Sequence, residues 1–359
     1  MSKKQNITRN NHYVPQMYLN AWKNEEDKVF VYDLLVPNSN TPLWKSKSIR
    51  SIASENNFYV SFSNNEETDR LEKWFDKNYE TPAASSLKKS IAGDYLSESE
   101  QNLIIKYIAC QIVRTPAFFI KILNNKNIDF ENTFFKTMEE VATDSKFMSV
   151  EDFKKQTLQK TSKLSDELLP LEITDMNETN SDGDRLIKIG TIKGKQFYFF
   201  SIVRLLETTA DILFQHKWII TDIDNRVKLP TSDNPVVCLN YHPDNTYDFE
   251  GGWGNKYSGI LFPISPNKIF WTQIGNDNIY LPKADIGFSV FLKKIIVQNS
   301  YRKVFSSTED DIVTCIKSRC VNLNKFREEK EFWLYVHENY LEKETAYISR
   351  ELKYKNKKI

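Results

Sequence analysis

The spacing of apolar residues changes from helical to strand-like and back along this chain, and that change limits the folds it can adopt. Apolar residues that recur every three or four positions predict helices at 66–91, with an interruption near Pro82, at 97 to about 116, at 203–214 and within 282–306. Short runs rich in β-branched and aromatic residues predict strands at 28–35, 186–191, 196–201, 217–222, 236–240 and 260–273. This order predicts an α+β fold with a central, mainly antiparallel sheet, a helical N-terminal half and C-terminal helices.

The region from about 127 to 184 differs from its flanks. It mixes weak helical periodicity with acidic and Ser/Thr-rich stretches, and it ends in the turn-forming sequence Asn-Ser-Asp-Gly-Asp. We interpret it as a helical insertion in a single domain that spans 1–359. No linker rich in Gly, Pro or Ser separates two halves, and a two-domain split near Asp184 is the alternative.

The charge balance argues against a dedicated nucleic-acid coat protein. Lys and Arg number 49 and Asp and Glu number 48, so the formal net charge is +1, although a local basic groove is compatible with this total. Hydrophobic residues make up 40% of the chain, which is enough for a sizeable core. A folded protein is therefore expected, and not a disordered polyanion binder.

Cysteine content and hydropathy predict a soluble, cytoplasmic protein with no membrane association. The N-terminus is polar, and no stretch approaches the ~18 consecutive apolar residues of a membrane span. The cysteines are too few and too scattered for a disulfide framework, which favours reduced thiols: Cys110, Cys238, Cys315 and Cys320.

The common signatures of nucleotide-binding folds, zinc proteases and serine hydrolases are absent from the sequence. Its four histidines have no metal-ligand spacing. Two acidic stretches, at 222–224 and 309–311, offer oxygen ligands but are also ordinary turn and helix-start sequences. A cofactor is therefore unknown, and a divalent cation remains one possibility.

The segment from Asn11 to Leu19 contains a histidine in an unusual setting. His12 precedes Tyr13 and Pro15, and the segment has enough apolar bulk to dock on the body of the protein. A docked His12 can act as a general acid or base, because the ordinary pKa of histidine lies near neutrality. The alternative is a histidine that only tethers the N-terminus by hydrogen bonding.

Two polar residues lie on the inward face of the predicted helix that starts at Ser97. Helical periodicity places Gln111 and Arg114 on that face or at its border. A buried guanidinium needs a counter-charge, because burying it alone costs several kcal/mol. The partner of Arg114 is either an internal carboxylate or a ligand anion.

The sequence Thr231-Ser232-Asp233-Asn234-Pro235 leads directly into an apolar strand. Side-chain oxygens at the mouth of a buried strand are held rigidly and can still reach solvent. Asp233 could therefore act as a base or a metal ligand, and Ser232 could contact a substrate. The same sequence is also good turn chemistry without any further role.

These segments, in their order along the chain, resemble the domain-of-unknown-function 4238 family of mainly bacterial proteins. The resemblance covers nearly the whole chain and departs from the family pattern at Gln16, where the family usually has an arginine. The resemblance adds Glu55 and Asn299 to the candidate site residues, and it implies no established reaction. The matching pieces are His12-Tyr13-Val14-Pro15 with Tyr18-Leu19, Ser54-Glu55 before Phe58-Tyr59, Gln111 with Arg114-Thr115-Pro116, residues 231–237 after Trp218, residues 262–266, and Asn299 ahead of Arg302.

Together, a histidine that can act as a base, an arginine that can bind an anion and additional carboxylates suggest a hydrolase or transferase. Its substrate would contain phosphate, as a nucleotide or nucleic acid does. In this hypothesis His12, Glu55 and Asp233 are catalytic. The substrate contacts are Tyr13, Gln111, Arg114, Ser232 and Asn299.

The competing hypothesis is a non-catalytic module that recognises a ligand or a protein, and either protein could serve bacterial stress or phage defence. An open pocket lined by His12, Arg114 and Asp233 would favour the enzyme. A closed hydrogen-bond network would favour an architectural role.

Overall fold

The computed structural model describes residues 7–63, 66–124, 171–179, 185–191, 194–244 and 246–336. Its helices are α1 (Gln16–Leu19), α2 (Arg70–Phe75), α3 (Thr81–Ala92), α4 (Glu98–Val113), α5 (Pro116–Asn124), α6 (Lys195–Thr208), α7 (Ile286–Asn299) and α8 (Asp311–Ile316), and residues 323–336 are also helical. Its 3-10 helices are Asn20–Trp22, Ile49–Ser51 and Ala210–Gln215.

The strands are short and are distributed along the whole described chain. They are β1 (Asn10–His12), β2 (Val29–Asp33), β3 (Leu35–Val36), β4 (Trp44–Lys47), β5 (Ser54–Asn56), β6 (Ser61–Ser63), β7 (Glu66–Thr68), β8 (Leu171–Thr179), β9 (Arg185–Thr191), β10 (Trp218–Asp222), β11 (Thr231–Ser232), β12 (Val237–Tyr241), β13 (Tyr247–Asp248), β14 (Gly259–Ser265), β15 (Lys268–Gln273), β16 (Lys303–Ser306) and β17 (Cys320–Val321). Together with the helices they confirm the predicted α+β class.

Two antiparallel sheets hold the body of the protein together. One has the strand order β10-β15-β14-β12-β13, and the other has the order β11-β16-β2-β4. The second sheet joins β2 and β4, from early in the chain, to β16, which lies more than 250 residues later. The N-terminal half is therefore less purely helical than its periodicity indicates, because it supplies half of this sheet.

Tyr18 connects the N-terminal segment to both sheets. Its ring stacks on Phe262 of β14, with 4.8 Å between ring centroids. Its hydroxyl donates to the carbonyl oxygen of Pro263 at 2.8 Å and lies 2.7 Å from the hydroxyl oxygen of Thr231 in β11. A buried hydroxyl with both contacts satisfied fixes the position of the segment that precedes it.

Helix α4 begins at the predicted capping box. The Glu100 N–H donates to the Ser97 hydroxyl oxygen at 3.3 Å, and the Ser97 N–H donates to the Glu100 carboxylate at 2.9 Å. The helix ends at Val113, and Pro116 opens α5. In the part of the chain that the structure describes, no single helix is long and apolar enough to cross a membrane; α4 and α5 reach that length and composition only together, across a 54° bend.

One strand prediction is wrong in the second half of the chain. The predicted strand at 196–201 is the first half of helix α6. Its residues form a fully buried run, and a short apolar run does not distinguish a buried strand from a buried helix. The strand structure predicted at 260–273 is confirmed, and it consists of β14 and β15, paired antiparallel around the turn at 266–267.

The predicted helical insertion lies mostly outside the described residues, as do the turn at 180–184 and all of 125–170. Its described part, 171–179, is strand β8, which pairs antiparallel with β9. This part of the region is therefore a hairpin and not helical.

Candidate functional site

The N-terminal segment that carries His12 is fixed through its backbone. β1 pairs antiparallel with β5, with His12 opposite Ser54. The Tyr13 N–H donates to the carbonyl oxygen of Ala53 at 3.0 Å, and Pro15 then begins the short helix α1. His12 is therefore held in a defined position instead of lying on a frayed terminus.

The end of helix α4 anchors the same segment. The Gln111 side-chain amide donates to the Tyr13 carbonyl oxygen at 2.8 Å, and Nη2 of Arg114 donates to the His12 carbonyl oxygen at 2.6 Å. Both Gln111 and Arg114 are fully buried. These two residues, which the sequence suggests as substrate contacts, bind the protein's own backbone.

Arg114 has an internal counter-charge. Its Nη1 donates to the Glu80 carboxylate, and its guanidinium lies 4.8 Å from the ring centroid of Phe75 and 5.4 Å from that of Tyr59. Neighbouring Glu72 is more distant, with 4.0 Å between its Oε2 and Nη2 of Arg114. Of the two alternatives for Arg114, the internal carboxylate is the one that the structure contains.

A cavity of about 420 Å³ lies between the N-terminal segment and the helical stretch that starts with α2. Thr8, His12 and Gln16 line one wall, and Glu72, Asp76 and Glu80 line the other. The volume is within the range of small-molecule sites. The structure therefore brings His12 and Arg114 to one place, with Arg114 behind the acidic wall through its bond to Glu80.

The acidic wall depends on a local irregularity of the helix. Asp76–Glu80 is a turn of π-helix between α2 and α3, and Pro82 follows at the start of α3. Proline has no N–H to donate one turn back, which favours such a turn, and π-helical turns are frequent at functional sites. Glu72, Asp76 and Glu80 then face the same cavity at intervals of four residues.

Sequence reasoning missed these three acids. Each of them directly follows one of the apolar residues Leu71, Phe75 and Tyr79, so in the sequence they have the pattern of an ordinary solvated helix face beside a buried one. The available signal was their strict four-residue spacing just before a proline.

His12 has an unused ring nitrogen. Burial lowers the pKa of His12, and hydrogen bonding with the backbone of Ile49 opposes that shift. Nε2 is buried and has no hydrogen-bond partner among the described residues. Nε2 is therefore the ring nitrogen without a hydrogen-bond partner, and the lowered pKa favours the neutral ring.

Glu72 has an unused oxygen in the same cavity. Burial raises the pKa of Glu72 to about 7, the charge of Arg114 opposes the rise, and the charges of Glu80 and Asp76 add to it. Its Oε2 is buried and, within the described ranges, accepts no hydrogen bond. A carboxyl group that is half protonated at neutral pH is suited to proton transfer.

Asp233 lies in a closed network and does not line the cavity. Its carboxylate accepts hydrogen bonds from the N–H groups of Tyr301 at 2.8 Å, Arg302 at 2.6 Å and Lys303 at 3.0 Å. Burial raises the pKa of Asp233 to about 6, while these three donors favour the charged form. Asp233 fixes the backbone at the start of β16.

Ser232 and Asn299 belong to the same architecture. The Asn234 N–H donates to the Ser232 hydroxyl oxygen at 3.1 Å. The Asn299 amide donates to the carbonyl oxygens of Asn234 at 2.8 Å and Val236 at 2.9 Å, and the Asn234 amide donates back to the Asn299 carbonyl oxygen at 3.1 Å. The hydrogen bonds of both residues fix the conformation of the turn that precedes β12.

Tyr13 and Glu55 lie on the Asp233 side of the N-terminal segment. Burial raises the pKa of Tyr13 well above its ordinary value, and the nearby charges of Asp233 and Glu55 add to the shift. Burial also raises the pKa of Glu55, and the charge of Lys303 opposes that rise. The predicted site residues therefore form two groups, one around the cavity and one around Asp233.

Metal binding has no candidate ligand set in the described ranges. No group of three or more His, Cys, Asp or Glu side chains there has an arrangement that could hold a metal ion.

Comparison with known proteins identifies one family. Its model, described as "Protein of unknown function (DUF4238)", matches residues 10–310. No curated protein and no solved structure is significantly similar to the chain.

Proposed function

Since the chain belongs to the DUF4238 family, whose description assigns no reaction, its function has to come from its site, and we propose that the cavity beside His12 is an acid–base catalytic site. The protein would be an enzyme of the hydrolase or transferase class. The observation that carries this proposal is the presence, in one cavity, of His12 and Glu72, each with a buried polar atom that lacks a hydrogen-bond partner among the described residues.

The two groups suit opposite roles. Burial lowers the pKa of His12 and raises that of Glu72 to about 7, so a neutral imidazole and a protonated carboxyl group coexist near neutral pH. Nε2 of His12 takes a proton from the nucleophile, which is water in a hydrolase or an acceptor hydroxyl in a transferase. Glu72 gives its proton to the leaving group as the new bond forms and the old bond breaks. Transfer of the proton from His12 to Glu72 through water restores both groups.

Arg114 is a positioning residue in this scheme. It holds the His12 carbonyl oxygen and the Glu80 carboxylate, and it lies behind Glu72. A substrate phosphate would have to displace Glu80 to reach the guanidinium. The geometry therefore supports the acid–base part of the enzyme hypothesis. It does not support the part in which Arg114 binds a substrate phosphate.

A second candidate is a non-catalytic recognition module. The closed networks around Asp233 and Asn299 favour it, because they occupy residues that the enzyme hypothesis used as catalytic or substrate groups. In this alternative the cavity binds a ligand without turning it over.

We place the protein in the cytoplasm, which its four free thiols support, and we retain bacterial stress or phage defence as its proposed setting.

A substrate screen tests the enzyme proposal. The purified protein is incubated with nucleotides, RNA, single- and double-stranded DNA, and chromogenic esters, amides and glycosides, with and without Mg²⁺. Any turnover is then measured in His12→Gln and Glu72→Gln, with His242→Gln and Glu309→Gln as controls at more exposed positions.

Loss of about a hundredfold or more in kcat/KM in the two cavity variants, with both controls near the parent, is the expected result. Full activity in both cavity variants would remove this site from the reaction. Binding of a screened compound in the cavity without turnover would favour the recognition module.

A further inference from the structure

The charges around the cavity do not balance. Lys73 is paired with Asp69, with 2.7 Å between Nζ and Oδ1, and Arg114 is bonded to Glu80. Both nearby cations therefore have carboxylate partners of their own. Glu72 is partly protonated at neutral pH and lies 4.0 Å from Nη2 of Arg114, so among the acids that line the cavity Asp76 is the carboxylate without a cationic partner in the described ranges.

Asp76 is the more accessible of these two acids. It lines the cavity, is exposed to solvent, and accepts one hydrogen bond, from the Thr81 hydroxyl at 2.9 Å. Among the described residues, no Lys or Arg nitrogen lies within 4.0 Å of its carboxylate. One of its oxygens is therefore held in place while the other is open to a ligand.

The size of the cavity and its side chains favour an organic ligand. About 420 Å³ holds a small molecule, whereas the described acids do not form a set of three metal ligands. A phosphate or carboxylate entering the cavity would be repelled by the negative charge of Asp76. An ammonium or guanidinium group would gain a partner in Asp76, and the rest of the molecule would extend towards His12 and Glu72.

We infer that the substrate of this site carries an organic cation, a protonated amine or guanidinium group, which Asp76 recognises at the cavity wall. This inference rests on the proposed function, because it assigns the substrate class of the same site. Asp76 sets specificity and takes no part in proton transfer, so its loss raises KM with little change in kcat.

Three probes of different charge test this inference. Benzylamine is protonated at pH 7, benzyl alcohol is its neutral counterpart, and inorganic phosphate is an anion. Their binding to the full chain is measured by shifts of backbone amide signals in NMR spectra. The variants are Asp76→Asn, which keeps the acceptor for Thr81, and Asp94→Asn, an exposed aspartate near the end of α3 that does not line the cavity.

The parent is expected to bind benzylamine about tenfold more tightly than benzyl alcohol, and phosphate should produce no shifts at the cavity. Asp76→Asn should remove most of this preference, Asp94→Asn should keep it, and both variants should melt like the parent. Equal binding of the amine and the alcohol, no binding of either, or phosphate binding in the cavity would overturn the inference.

The outcomes separate this inference from the proposed function. If His12→Gln loses turnover but the amine preference is absent, the acid–base site stands and the cation assignment fails. If the amine preference is present but His12→Gln and Glu72→Gln retain full turnover, the cavity binds cations and the proposed catalytic roles fail.

Discussion

Asp233 and Glu72 are two buried carboxyl groups in very different surroundings. The residue Asp233 is 2% exposed and accepts three backbone N–H bonds, whereas the side chain of Glu72 is 19% exposed and one of its oxygens accepts no hydrogen bond among the described residues. Burial raises the pKa of both groups. Only Glu72 has an oxygen without any hydrogen bond, and of the two acids only Glu72 lines the cavity beside His12. Burial alone therefore does not identify a functional acid, because its unused bonding capacity must also face a ligand.

The largest effect is expected for Asp233→Ala. The change leaves the N–H groups of Tyr301, Arg302 and Lys303 without their acceptor where β16 begins. We expect a loss of about 3–5 kcal/mol in the free energy of unfolding, measured by urea denaturation. A loss below about 1 kcal/mol would show that the network is dispensable and would weaken the contrast with Glu72.

Arg114→Ala should have the second largest effect on stability, because the guanidinium bonds to Glu80 and to the His12 carbonyl oxygen. We expect a loss of about 3 kcal/mol, and Arg114→Lys should restore part of it because a lysine keeps the charge but not the forked geometry. Urea denaturation of both variants measures these values. Unchanged stability in Arg114→Ala would mean that the guanidinium serves a ligand and not the fold.

Stability should depend on pH through Glu72. Its pKa in the folded protein is about 7, above the ordinary 4.5, so the folded state holds this proton more tightly than the unfolded state does. The resulting stabilisation is complete below pH 4.5 and is lost as the pH rises through 7, by about 3 kcal/mol.

The difference between the parent and Glu72→Gln isolates this contribution, because His12 and Asp233 titrate in both proteins. When unfolding free energies are measured at several pH values, the stability of Glu72→Gln relative to the parent should increase as the pH rises. A constant difference across that range would contradict a raised pKa.

Asp233→Asn should have the smallest effect. Asparagine keeps one acceptor oxygen and nearly the same shape, but it loses the charge and presents an NH2 group to backbone donors. We expect a loss of about 1–2 kcal/mol and no loss of any turnover found in the substrate screen. A variant that melts near the parent but is inactive would return Asp233 to the catalytic list.

The sequence predicts local features of the fold well. The capping box at Ser97 and the strand at 28–35 depend on nearby residues, and both are present. The strand prediction at 196–201 is wrong because the buried environment of these residues, and not their sequence pattern, decides between helix and strand. The partner of β2 is β16, a pairing that no local pattern contains.

The candidate site is predicted only in part. Polar residues in apolar surroundings correctly predict that Arg114 is buried and that His12 is held in a half-buried position. The same reasoning includes Asp233, because a satisfied and an unsatisfied carboxylate have the same sequence pattern. Glu72 is missed since its neighbours suggest a solvated helix face, and its burial arises only when the N-terminal segment packs across it.

The titration of Glu72 tests the central claim most directly, because it requires no substrate. Glutamate side-chain carboxyl groups labelled with ¹³C are followed by NMR across the pH range in the parent and in Glu72→Gln, whose missing signal assigns the resonance. The account predicts a glutamate signal that titrates near pH 7 in the parent and is absent from the variant. A Glu72 signal that titrates at or below the ordinary value of 4.5 would contradict it.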